Sequence, residues 1–207
     1  MDNYTKIARG NLDRLYRNLS DDLANNLPGE KNGDRFWFKA FGEQCCISPE
    51  GISIDNKTHD SVLGILISLY ALSARPDGCI LEPLKAFKEF PDSMPYVGAF
   101  ASHTENLLIP VVSNIKRATS SIMEKFCGKP SPVGTGGDFS FVVFPLPKIA
   151  LCYIFYEADD EFPASVTCLF SNNARLFLSM DGLADVGEYT SRTILELVEP
   201  KQRAHSK

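Results

Sequence analysis

From Tyr4 to Leu27 the apolar residues Ile7, Ala8, Leu12, Leu15, Leu19 and Leu23 recur at steps of three and four. That spacing puts them on one stripe of a helix and predicts an amphipathic helix over about residues 3–26, ended by Pro28 and Gly29. The pattern then shortens to alternation. RFWFKAF (35–41) reads as a strand, and QCCIS and ISI read as two strands around a turn in which Pro49 presets φ and Gly51 relieves the exit. A second helix is expected over 59–74, closed by RPDG (75–78), with one or two further helical turns in LEPLKAFKEF (81–90) and a loop from Pro91 to Pro95.

SHTE (102–105) has the form of a capping box, in which Ser102 would accept the Glu105 amide while the Glu105 side chain reaches back. A helix running to Phe126 follows, kinked or re-started at Pro110 and stopped at Gly128 and Pro130. FSFVVF (139–144), IALCYIFY (149–156) and ASVTCLF (164–170) are rich in β-branched and aromatic residues and predict three strands. The middle one is apolar at every position, as a strand covered on both faces must be. ARLFLSM (174–180) suggests a fourth strand and 181–198 a last helix. The resulting class is α+β, an antiparallel sheet flanked by helices in a single domain over 1–200, with a basic tail, KQRAHSK (201–207), expected to be disordered.

Composition narrows the function. The chain has 207 residues, 44% of them hydrophobic, enough to bury a core without metal or disulfide staples. A net charge of −5 and the lack of a basic stripe argue against nucleic acid as a partner. The longest uncharged run, 62–74, is shorter than the roughly 20 residues a membrane-spanning helix needs. The first residues contain no apolar segment of a secretion signal, and the six cysteines are scattered, which together predict a cytoplasmic protein with reduced thiols.

Several constellations carry potential chemistry. YEADDEFP (156–163) places Glu157, Asp159, Asp160 and Glu161 between two apolar strands. It is either a ligand or cation site, with Asp160 and Glu161 the residues of interest, or a turn solvated by Asp159 and Asp160 while Phe162 and Pro163 pack back on the core. Cys152 and Cys168 are equidistant from Asp160, so a hairpin centred there would set them opposite or nearly so, as a soft-metal or redox pair or as plain core residues. His59 and His103 stand at expected helix starts and are the candidate nitrogen ligands for a metal. Adjacent Cys45 and Cys46 should face opposite sides of a strand, one inward and one outward. GTGGDFSF (134–141) has the glycines of a phosphate loop but leads into a strand rather than a helix, so it reads as a connector. No nucleophile elbow or dinucleotide fingerprint occurs.

The order of GDFSFVVFPLPKIALCYIFYEADDEFPASVTCLF and LFLSMDGLADVGEYTSRTIL resembles a family of domains of unknown function found mostly in anaerobic bacteria and archaea. The matching features are Leu146, Pro147, Lys148 and Ile149, the turn Asp160 to Pro163, the pair Leu169 and Phe170, and upstream GILISLYALSA and PYVGAF (95–100), spanning about 35–198. The resemblance implies an accessory or binding module that recognises a small ligand, cofactor or partner protein. Some relatives are joined to an iron–sulfur domain like that of corrinoid iron–sulfur proteins, which implies a corrinoid or iron–sulfur partner in anaerobic one-carbon metabolism. This chain has no cysteine array of its own. The competing expectations are a metal-dependent enzyme using the 157–161 turn, with His59 or His103 supplying nitrogen, and a structural subunit of a larger complex.

Overall fold

A computed structural model describes residues 3–59 and 61–199. Two five-stranded antiparallel sheets and the helices around them share one hydrophobic core, which bears out the α+β class. The first sheet is a meander of β1 (Glu30–Asn32), β2 (Arg35–Ala40), β3 (Glu43–Ser48), β4 (Gly51–Ile54) and β5 (Lys57–Thr58) in chain order. Phe36 and Phe38 on β2 and Ile47 on β3 turn inward, and Phe41 follows them into the core, while Trp37 stands half-buried on the outer face.

The second sheet runs β6 (Lys85–Ala86), β10 (Ser165–Phe170), β9 (Ile149–Tyr156), β8 (Phe139–Leu146) and β7 (Lys129–Pro130). β9 is its centre and is buried on both faces, as its unbroken apolar run predicts. Leu151, Tyr153 and Phe155 enter the main core; Ala150, Cys152 and Ile154 enter a smaller cluster on the other face. That outer face is covered by Cys79, Leu81 and Leu84. The Asn173 side chain anchors this covering segment, accepting the Ile80 amide and donating to the Gly78 carbonyl, and the Asn172 side chain donates to the Pro83 carbonyl.

Four local expectations give way to the tertiary structure. The N-terminal helix is two pieces, α1 (Asn3–Arg17) and α2 (Leu23–Asn26). Between them the Ser20 hydroxyl accepts the Asp22 amide and the Ser20 carbonyl accepts that of Leu23, side-chain and turn bonds that compete with the helix ladder. Residues 81–90 form β6 and a 3-10 turn, Phe87–Glu89, because β10 claims the backbone at Lys85 and Ala86. Residues 174–180 are not a strand: Ala174–Leu176 is a 3-10 turn whose bonds run back to Ser171, Asn173 and Ala174.

SHTE, lastly, starts no helix. After α3 (Val62–Leu72) and the 3-10 turns Phe87–Glu89 and Met94–Tyr96, the chain enters α4 (Val97–Phe100), widens into a π turn at Ala101–Glu105 and tightens to 3-10 over Asn106–Val111. Pro110, which has no amide to give to an α ladder, lies in that tightened stretch, and α5 (Val112–Lys125) follows. The last helix, α6 (Met180–Val198), packs along the π turn. Gly187 permits the approach: a Cβ there would lie 2.6 Å from Phe100 Cε2 and 2.7 Å from Thr104 Oγ1.

Candidate functional site

The acidic hairpin tip is a turn in which two of the four carboxylates, those of Glu157 and Asp159, have structural partners. Asp159 Oδ1 accepts the amides of Glu161 at 2.9 Å and Phe162 at 2.7 Å, and the Asp159 amide donates to the Phe162 carbonyl. These bonds to the ionised form hold the Asp159 carboxyl below the usual aspartate range. Asp138 Oδ2 accepts the Glu157 amide at 2.7 Å, and Glu157 pairs with Lys116. Asp138, Glu157 and Asp159, with Tyr156, Phe162 and Pro163, do line a cleft of about 370 Å³. Asp160 and Glu161 do not line it; both are exposed, and their carboxylates meet no hydrogen-bond partner among the described residues. Phe162 is 66% exposed, so it does not pack back on the core as expected.

The strand register separates the two hairpin cysteines. Cys152 pairs with Leu169 and Cys168 with Tyr153, one residue away from the symmetric arrangement. Side chains alternate along a strand, so that single step sends the thiols to opposite faces. Cys152 lies in the outer cluster, its thiol pushed up to about 11 by burial; Cys168 lies in the main core, its thiol raised by burial and then by the nearby Glu105. Cys45 and Cys46 do face opposite ways, yet both are buried, Cys46 between Trp37 and Ser53 of the flanking strands. His103 is exposed and sits 3.1 Å from a Glu188 carboxylate oxygen. His59 lines a separate groove with Lys125 and Glu196. Neither histidine lines the cleft at the acidic tip, and among the described residues no group of three or more His, Cys, Asp or Glu side chains is placed to hold a metal ion.

A recess with a half-buried charged group lies elsewhere, between the π turn and the edge of the second sheet. It is a slot of about 260 Å³ walled by Ala86, Phe87, Val97, Phe100, Ala101 and Thr167, with Glu105 and Lys88 as its two charged residues. Its geometry follows from the shortness of β6. That strand pairs only with Leu169 and Phe170, so the amide of Cys168 lies past the last pairing and needs another acceptor. Glu105 Oε1 supplies it at 2.9 Å. The other carboxylate oxygen has no hydrogen-bond partner among the described residues. Burial raises the Glu105 carboxyl above the usual glutamate range, against the lowering effects of the Cys168 amide and, more distantly, of Lys88.

Aromatic rings and buried hydrogen bonds surround this carboxylate. Phe100 stacks on Phe87 with ring centroids 4.3 Å apart, and both touch Phe170. Behind the slot the Ser191 hydroxyl donates to the Thr104 carbonyl at 2.8 Å, which leaves Tyr153 to donate to Ser191 at 2.9 Å. Thr104 Oγ1 is buried without a hydrogen-bond partner among the described residues. A π turn that keeps an unpaired hydroxyl is a costly local arrangement, and such turns recur at functional sites. The sequence motif SHTE points to a capping box between Ser102 and Glu105, and nothing in it marks the place of Glu105 against the sheet edge.

The molecule is thus an α+β domain whose helical π turn and sheet edge enclose a carboxylate-bearing aromatic slot. Over residues 20–193 it matches the model of the family described as Domain of unknown function (DUF3786), and it belongs to that family. The match starts upstream of the 35–198 span of the resemblance and takes in α2. No curated protein and no solved structure matches the chain. Two segments that carried the resemblance, PYVGAF and the Leu169–Phe170 pair, meet through the Phe100 and Phe170 rings, whose centroids are 5.6 Å apart, and Phe100 also lines the slot.

Proposed function

We propose that this domain is a binding module and that the slot beside Glu105 receives a small ligand presenting a cationic or hydrogen-bond-donating group. The observation that carries the reading is the Glu105 carboxylate: one oxygen is fixed by the Cys168 amide, and the other is left to an apolar recess. A half-buried carboxylate with an open acceptor favours a donor that replaces the water it has lost. At about 260 Å³ the slot is below the roughly 300–1,000 Å³ typical of drug-sized ligands, so it suits a small metabolite or the end of a larger one. The tie to a corrinoid or iron–sulfur partner is carried by the family resemblance.

Methyl NMR with isobutylamine and phenethylamine as probes tests the reading. Saturable shifts at Val97, Ala101 and Thr167, removed by the slot-filling substitution Ala101→Phe, are expected. If neither amine shifts these methyls while the tip residues or nothing at all responds, the slot is not the binding site.

A further inference from the structure

The slot carries two opposite charges that do not pair with each other. Glu105 and Lys88 line the same recess, and Lys88 is near enough for its ammonium to favour the ionised carboxylate. Yet the only partner of the Glu105 carboxylate among the described residues is the Cys168 amide, and the Lys88 ammonium has none there. Lys88 is exposed, whereas Glu105 is half-buried, and Phe87, Phe100, Val97 and Ala101 supply apolar lining to the same recess. In so small a volume, a half-buried carboxylate and an unpaired ammonium at the mouth, beside apolar walls, are complementary to one ligand carrying both charges and an apolar group.

Resting on the reading of the slot as a ligand site, we propose that its ligand class is an apolar α-amino acid or a closely related amino-carboxylate. The ligand ammonium donates to the free oxygen of Glu105, its carboxylate meets Lys88 at the rim, and its side chain lies against the stacked Phe87 and Phe100 rings. The carboxylate is the discriminating element. A simple amine satisfies Glu105 but leaves Lys88 unused, and a simple acid meets Lys88 but sets its own charge against Glu105, which costs affinity by like-charge repulsion.

The experiment titrates L-phenylalanine, phenethylamine and 3-phenylpropanoate into the full chain, following the Ala101 and Val97 methyls. L-Phenylalanine is expected to bind about tenfold or more tightly than either half-ligand, the scale of one charge-assisted hydrogen bond. Lys88→Met, at an exposed position, should erase the advantage of L-phenylalanine over phenethylamine. Glu105→Gln should weaken both amine-bearing probes. Equal affinity of L-phenylalanine and phenethylamine for the unaltered protein, or an unchanged L-phenylalanine affinity in Lys88→Met, overturns the amino-acid assignment while leaving the slot as an amine site. Silence of the slot methyls toward all three probes overturns both.

Discussion

The hairpin tip and the π-turn slot are two ways of placing carboxylates, and they have opposite consequences. At the tip four acidic residues fall within five positions, and the fold leaves them at the surface, where Asp159 ties the turn, Glu157 pairs with Lys116 and the other two meet water. In the slot a single glutamate is drawn against a sheet edge because a two-residue strand leaves one amide without a partner. The tip has four carboxylates and little burial; the slot has one carboxylate, half-buried. The two carboxylates are shifted in opposite directions, because desolvation lifts Glu105 while local amide bonds lower Asp159.

The sharpest way to break this comparison is at the aromatic wall. Phe100→Ala removes a buried ring stacked on Phe87 and should cost about 3–5 kcal/mol in denaturant unfolding, whereas Phe162→Ala at the tip should change stability by less than about 0.5 kcal/mol. Equal losses would mean that the tip is packed as firmly as the slot.

Next in size is the carboxylate itself. Glu105→Ala leaves the Cys168 amide without its acceptor and should cost about 1–3 kcal/mol, while Glu105→Gln keeps an acceptor oxygen and should recover most of that loss. If both variants unfold alike, the bond to Cys168 contributes nothing and the edge-amide account fails.

A second half-buried carboxylate tests whether burial, rather than crowding in sequence, is the cause. Asp185 on α6 is pushed up to about 6 by burial, then by Glu188 and Asp181. Because the folded state holds its proton more tightly, the folded protein binds more protons than the unfolded chain between about pH 4 and pH 6, and stability falls as pH rises through that window. Asp185→Asn removes this penalty. Its melting temperature should exceed that of the parent protein by about 2–4 °C at pH 7, with no gain below pH 4. A gain of the same size at both pH values would assign the effect to something other than ionisation. The smallest effect is expected where the acidic residues are densest: Asp160→Asn with Glu161→Gln should leave the melting temperature within about 1 °C of the parent.

Much of the fold is legible in the pattern. The hairpins of both sheets and the last helix follow from alternation and 3.6-residue spacing, and β9 from its unbroken apolar run. What misled were segments whose backbone bonds are decided at long range. LEPLKAFKEF has helical spacing, but β10 takes Lys85 and Ala86 into the sheet. ARLFLSM has strand composition but finds no strand to pair with, and closes into a turn. Cys152 and Cys168 show the limit of counting from a turn, because a centre displaced by half a residue moves one thiol to the other face. Glu105 was legible only as a capping residue, since neither the short β6 nor the bare Cys168 amide leaves a mark in the sequence.

The most direct measurement is a carboxyl-carbon NMR titration that follows Glu105 and Asp159 in one sample. The account predicts that Glu105 titrates above the ordinary glutamate value and Asp159 below the ordinary aspartate value, because one is desolvated in a slot and the other is bonded by amides at an exposed turn. A Glu105 midpoint at or below the ordinary value would show that desolvation does not govern this carboxylate and contradict the slot as a site distinct from the acidic surface.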